Sequence, residues 1–265
     1  MARIQIEYFS NALVRPINFR VVLPNDPRAE VPGIQKPYNP HMDRPMKTVF
    51  NLPGYTGGAE WGDEMVAQKY NTAIISVYGE NAFYVNNASP SGKFADFIGI
   101  EIVDYVRRTF GLAMTPEDTY ITGISMGGYG AIRTALAHPE TFGKVAGQSS
   151  ALIIHNIAHM KPGEDNGINN YAYYNFLFGD LDKIEESTAN PDYLVKQNIA
   201  EGKKLPEIYF CCGTEDFLNA PNREFDKFLT ETGVPHVYEE GPGGHDVGFW
   251  STFTPRVFEW FFEGK

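Results

Sequence analysis

Ser125 stands in the stretch Thr122-Gly123-Ile124-Ser125-Met126-Gly127-Gly128-Tyr129-Gly130, a Gly-x-Ser-x-Gly pattern. A serine hydroxyl is a weak nucleophile until a base removes its proton, so what matters is how the chain presents it. Glycines two before and two after let a strand turn sharply into a helix without side-chain collision, leaving the serine exposed at the tip. The helix that follows would aim free N–H groups and its positive end at any oxyanion formed there. Alone, the pattern fits equally well a glycine-rich strand–helix turn with a solvent-facing serine. The flanks favour the first reading. Asp118-Thr119-Tyr120-Ile121-Thr122 reads as a buried strand, and residues 131–137 read as a helix that stops before Pro139.

Such a serine needs a histidine to take its proton and a carboxylate to hold that histidine in the right tautomer. In the order Ser, Asp or Glu, His, both follow the nucleophile, each in a loop at the carboxyl end of a later strand. Of the six histidines, His41 precedes Ser125 in a proline-rich loop, His138 closes the elbow helix, His155 and His159 lie in an irregular stretch, and His236 begins a strand. His245, in Gly241-Pro242-Gly243-Gly244-His245-Asp246, sits in a glycine-rich loop between the last strand and the last helix, where the base belongs. For the acid, Gly213-Thr214-Glu215-Asp216-Phe217 offers two carboxylates after a strand, and a loop tip that turns inward favours Asp216 over Glu215. Asp226 falls mid-helix, and Asp246 is too close to His245 to brace it. An oxyanion hole wants two backbone N–H groups, expected at Met126 and at Tyr55 of Pro53-Gly54-Tyr55, where the glycine allows close approach.

The elements that must position these residues follow in order. Residues 3–9 and 18–23 read as an antiparallel edge pair, and residues 24–45 as a long loop rich in proline and charge. Strands are expected at 48–52, 72–78, 144–149, 207–212 and 236–240, with helices at 62–70, 94–110, 191–201, 221–232 and 247–262. Strands alternating with helices of this length mean a mainly parallel sheet covered on both faces, in a single domain spanning 1–265. Residues 150–190 break the rhythm with a cluster of asparagines and aromatics, and read as an insertion over the site or a small lid. Trp61, Phe83, Tyr84 and Tyr174 are candidates to line a substrate pocket, although ordinary core packing explains each as readily.

Three motifs in this order resemble the esterase D-like family of α/β-hydrolases, which includes short-chain tributyrin, acetyl-xylan and feruloyl esterases, S-formylglutathione hydrolases and mycolyltransferases. They are the stretch from Gly123 to Ala131, the Gly213-Thr214-Glu215-Asp216-Phe217 loop, and the stretch from Glu240 to Trp250; Leu52-Pro53-Gly54-Tyr55, with Trp61 shortly after, is also similar. The resemblance implies an α/β-hydrolase fold, with Ser125 as nucleophile, Asp216 rather than Glu215 as acid, His245 as base, and oxyanion donors at Tyr55 and Met126. Many members carry His-Gly where this chain has Pro53-Gly54. The donor lies one residue later, so its role should survive while the pocket rim differs. The Ser-Gly-Leu-Thr-Cys-like segment of the formylglutathione branch is absent from that loop, which favours the carboxylesterase branch.

Composition sets the outer limits. With 265 residues, 43% of them hydrophobic, the chain can bury a full core without disulfide or metal. A net charge of −11 argues against nucleic acid or an anionic membrane as partner. Cys211 and Cys212 are adjacent in a strand and point to opposite faces, so two free thiols are expected. With no apolar leader-like run at the N-terminus and no membrane-length run, a cytoplasmic location is expected. The expected function is a serine carboxylesterase for short acyl or aryl esters, including acetyl or feruloyl esters of plant polysaccharides, with no metal or organic cofactor. Its partner is then a small-molecule or oligosaccharide ester, and a homo-oligomer is compatible with the composition. A thioesterase or acyltransferase differs only in leaving group or acceptor, and a non-catalytic ligand-binding relative would be expected to have lost part of the triad.

Overall fold

The computed structural model describes residues 2–24, 39–60 and 62–264. Among the described residues, eight strands make one sheet: β1 (Ala2–Ser10), β2 (Arg15–Leu23), β3 (Lys47–Leu52), β4 (Thr72–Ser76), β5 (Thr119–Ile124), β6 (Lys144–Gln148), β7 (Glu207–Gly213) and β8 (His236–Gly241). Their order is β1-β2-β4-β3-β5-β6-β7-β8. The β1–β2 and β2–β4 pairings are antiparallel, and all others are parallel. Every residue of β4, Thr-Ala-Ile-Ile-Ser, is buried, as a parallel strand covered on both faces requires, whereas edge strand β1 alternates half-buried with exposed. The helices are α1 (Glu64–Lys69), α2 (Phe94–Asp96), α3 (Ile102–Phe110), α4 (Met126–Ala137), α5 (Ile154–Ile157), α6 (Tyr171–Phe178), α7 (Pro191–Ala200), α8 (Asn219–Glu231) and α9 (Val247–Glu263).

The period-two alternation of the strands divides the core into two layers. Phe50, Ile75 and Cys212 face the cluster formed with α3, α4, α7 and α8. Val49, Ile74 and Cys211 face the cluster formed with α1 and α9. Both cysteines are free and buried on opposite faces, as their adjacency in a strand dictates.

The helix expected from Phe94 to Phe110 forms in two pieces, α2 and α3, joined by a π-helical turn over Phe97–Glu101. Two contacts accompany the turn, at its middle and at its end. A Cβ at Gly99 would lie 2.4 Å from the His138 ring, so the chain passes where only glycine fits. The extra residue also lets Glu101 accept from Ser10 Oγ, Asn11 N and Ala12 N, closing the β1–β2 hairpin. Part of the proline-rich 24–45 segment and Trp61 lie outside the described residues.

Candidate active site

The turn after β5 carries Ser125 at φ 58°, ψ −120°, and α4 begins at the next residue. Three hydrogen bonds impose this backbone: Ser125 N donates to Gln148 O (2.8 Å), while Ala151 N (3.0 Å) and Tyr129 N (3.1 Å) donate to Ser125 O. The flanking glycines are obligatory. A Cβ on Gly123 would lie 2.3 Å from Gly127 O, and one on Gly127 would lie 2.1 Å from Leu52 O. A non-glycine residue at positive φ stores strain, here held in place by the β5–α4 junction and the segment after β6.

His245, in the loop between β8 and α9, sets Nε2 2.9 Å from Ser125 Oγ. Its Nδ1 lies 2.9 Å from Asp216 Oδ2 and 3.1 Å from Oδ1. Asp216 follows β7, is 5% exposed, and accepts from Leu218 N at 2.8 Å. Burial pushes its carboxyl up, but the hydrogen bonds from His245 and Leu218 N hold it below its ordinary range. Glu215 instead accepts from Gly243 N at 2.6 Å and from Thr214 Oγ1 at 2.8 Å, and these bonds lower its carboxyl. It steadies the loop that carries His245 rather than the imidazole itself.

The remaining histidines that pair with acids are already engaged. His236 uses Nδ1 on Val234 O and Nε2 on Asp226, and His155 sets both nitrogens against carboxylates, Glu185 and Asp192. Asp246 caps α9 by accepting from Phe249 N.

Gly54 brings the Pro53–Tyr55 turn against the serine, since a Cβ there would lie 3.4 Å from Ser125 Cβ. Met126 is the first residue of α4, so its N–H has no partner within the helix, and the positive end of the helix lies beside Ser125. The loop is fastened from two sides. Tyr84 Oη donates to Pro53 O (2.7 Å), and Thr56 N donates to Asn81 Oδ1 (2.6 Å) while Tyr173 Oη of α6 donates to Asn81 O (2.6 Å). Residues 150–190 are therefore tied through Asn81 to the turn that faces Ser125.

A cavity of about 650 Å³ opens over Ser125 and is lined by Tyr55, Phe83, Ile153, Asn169, Tyr174 and Trp250, among others. Phe83 and Tyr174 are part of this lining. Tyr84 is not: it is wholly buried outside that lining, bracing Pro53 and pressed against Gly79 and Gly130. Its local sequence could not separate a pocket wall from a support behind one. Two neighbours of His245 carried no role in the sequence reading. Phe217 lies 4.7 Å from its ring and tilted by 49°, and Trp250 stands edge-on at 5.1 Å and 88°. Their only signal was their nearness in sequence to Asp216 and His245.

A mainly parallel sheet with helices on both faces, and a serine, a histidine and a carboxylate gathered at the carboxyl ends of its strands, define an α/β-hydrolase. The chain belongs to the Putative esterase family, whose model matches residues 64–258. It is 36% identical, over 98% of both chains, to an acetyl esterase of Caldicellulosiruptor saccharolyticus. Among solved structures it is similar to the fluorophosphonate-binding serine hydrolase F of Staphylococcus aureus, determined with substrate bound, at 28% identity and a TM-score of 0.81 over 98% of each chain. It is also similar to an S-formylglutathione hydrolase of Staphylococcus aureus at 27% identity, with a TM-score of 0.80 over 98% of each chain. The protein is a carboxylic ester hydrolase. No helix among the described residues is long and apolar enough to cross a membrane.

Proposed function

We propose that the protein is a serine carboxylesterase that hydrolyses short-chain acyl or aryl esters through an acyl-enzyme on Ser125. The observation that carries this reading is the continuous hydrogen-bonded line from Ser125 Oγ through His245 to Asp216. In the proposed cycle His245 Nε2 takes the hydroxyl proton as Ser125 Oγ attacks the ester carbonyl. The N–H groups of Tyr55 and Met126 receive the developing oxyanion, where fixed donors cost no reorganisation. Collapse of the tetrahedral species expels the alcohol, to which His245 returns the proton. A water activated by the same nitrogen then releases the acid and frees Ser125. Asp216 stays ionised throughout and stabilises the imidazolium.

The acetyl esterase relative supports acetyl as one acyl group. The aromatic and asparagine side chains of the insertion that reach the cavity, Asn169 and Tyr174, suit an aryl or sugar-bearing ester. A second reading, thioester hydrolysis, is favoured by the likeness to an S-formylglutathione hydrolase. The test has two arms. A fluorophosphonate probe should label the wild-type chain and not Ser125→Ala, and p-nitrophenyl acetate should be hydrolysed at a higher kcat/KM than S-formylglutathione. Labelling that survives Ser125→Ala overturns the nucleophile assignment, and a reversed preference selects the thioesterase reading.

A further inference from the structure

Phe217 is 61% exposed, yet it lines the cavity over Ser125 and its ring lies 4.7 Å from that of His245. The exposure does not come from a loose loop. Its neighbours Asp216 and Leu218 are both buried, and three hydrogen bonds pin the turn between β7 and α8. Asp216 N donates to Gly213 O (3.2 Å), Leu218 N to Asp216 Oδ1 (2.8 Å) and Asn219 N to Asp216 O (2.9 Å). With both neighbours held inward, position 217 faces water, where a polar side chain is the ordinary occupant. Val247, two residues after His245, lines the same cavity and is also largely exposed. Apolar side chains gathered at a cavity mouth, unlike one scattered on a surface, mark a place where a ligand lies.

The chemistry of the hydrolytic line selects which half of an ester meets the Phe217 ring. His245 Nε2, 2.9 Å from Ser125 Oγ, must also come within hydrogen-bond reach of the departing oxygen to return the proton. The alcohol therefore leaves on the imidazole side of the nucleophile, and its first carbons lie beside whatever flanks that imidazole. Phe217 flanks it, tilted by 49° with a ring face left open to the cavity mouth. The acyl chain leaves the same carbonyl carbon in another direction. Elsewhere the cavity wall differs in kind, since Phe83 and Tyr174 are both buried.

We propose that Phe217, extended by Val247, is the specificity-determining wall for the alcohol half of the ester, and that it takes alcohols carrying an aromatic ring. The inference rests on the reading of Ser125, His245 and Asp216 as the hydrolytic line. The buried wall of Phe83 and Tyr174 is then left to the acyl half. An aromatic face at the mouth gains from an offset-stacked or edge-on ring and asks for no closed pocket around it. The two halves of the substrate are thus selected differently, the acyl group by size and the alcohol by its ring.

The test is steady-state kinetics of the wild type, Phe217→Ala, Phe217→Leu and Phe217→Tyr on ethyl acetate, benzyl acetate and benzyl butyrate. Dividing each variant by wild type on the same ester cancels the intrinsic reactivity of that ester. Phe217→Ala should lose about fivefold more kcat/KM on benzyl acetate than on ethyl acetate, the size expected of one aromatic pair. The extra loss should appear in KM, because a stacked alcohol is held alike before and during the reaction. Phe217→Leu keeps apolar bulk without a flat face and should lose in the same direction, so it carries the test if the alanine variant folds poorly. Phe217→Tyr keeps the ring and should hold the benzyl-to-ethyl ratio within about twofold of wild type. The butyrate-to-acetate ratio on benzyl esters should stay within about twofold in Phe217→Ala, since the acyl half lies elsewhere. Equal losses on ethyl and benzyl acetate would show that the ring serves His245 and not the alcohol. That result, a shifted butyrate-to-acetate ratio, or a Phe217→Tyr as impaired as Phe217→Ala would each overturn the proposal. Failure of the underlying line would look different: the wild-type chain would resist fluorophosphonate labelling.

Discussion

At the scale of the residue, Ser125 and Asp216 differ in what their removal should cost. Ser125 sits at the tip of its turn and its hydroxyl packs nothing, so Ser125→Ala is expected to abolish ester hydrolysis while the melting temperature stays within a degree or two, roughly the scatter of a surface change. Asp216→Asn is expected to cut kcat by roughly 10⁴-fold, the loss seen in the serine protease precedent where the amide favours the wrong tautomer. Glu215→Gln retains an acceptor for Gly243 N and should fall by no more than about threefold, since Glu215 touches the loop and not the imidazole. Measuring both variants side by side decides which carboxylate serves His245. A larger loss in Glu215→Gln would reverse the assignment. Sequence order alone left these neighbours nearly equivalent, because which of two adjacent loop residues points inward depends on bonds such as Leu218 N to Asp216 that no pattern encodes.

At the scale of the element, residues 150–190 matter through their anchors. Tyr173 of α6 reaches Asn81 O, and Asn81 in turn holds Thr56 N, so Tyr173→Phe should slacken the turn bearing Tyr55. The expected result is a several-fold lower kcat with little change in KM, and about 1 kcal/mol less stability, the usual worth of one hydrogen bond. A drop in stability with kcat unchanged would show that the turn is held without α6. At the other end of the insertion, His155 lies between Asp192 and Glu185, and the hydrogen bond to Asp192, then that to Glu185, raises its imidazole from 6.5 to about 9 against the opposing effect of burial. A group raised on folding stabilises the folded chain fully below its unfolded value and loses that contribution as pH rises through its folded value. His155→Gln should therefore melt below wild type at pH 6 and match it at pH 10. Equal melting at both would remove the ion-pair anchor. Most strands and helices were legible to within two or three residues because hydrophobic period reports burial, but α4 starts five residues before the helix expected at 131–137, and α5 and α6 fall where no helix was expected. The π turn at Phe97–Glu101 was not, since it answers to Gly99 meeting His138 and to Glu101 reaching the β1–β2 hairpin, contacts distant in sequence.

At the scale of the molecule, the parallel sheet gathers Tyr55, Ser125, Ser149, Asp216 and His245 at one edge because each follows the carboxyl end of β3, β5, β6, β7 or β8. That convergence and the covering of both sheet faces were legible from strand–helix alternation, whereas the strand order was not. The same edge sets the size of the substrate. One cavity of about 650 Å³ must hold both acyl and alcohol portions of an ester bound at Ser125. Its Phe83 and Tyr174 wall cannot recede easily. Phe83 packs edge-on against Tyr129 at 5.7 Å and Phe178 at 5.5 Å, and Tyr174 packs against Phe178 at 6.4 Å. Each further methylene would gain about 0.8 kcal/mol if it could be buried, so an unobstructed channel would favour long chains. A backed aromatic wall reverses that preference by steric exclusion, since repacking a dense interior costs more than a methylene returns. Esters with acyl groups of about two to four carbons, or flat aryl groups, are therefore expected to exceed long-chain esters in kcat/KM. Comparing p-nitrophenyl acetate, butyrate and octanoate under one set of conditions measures this. Octanoate turned over as well as acetate would mean that the wall yields, and would assign the cavity to a lipid-like chain instead.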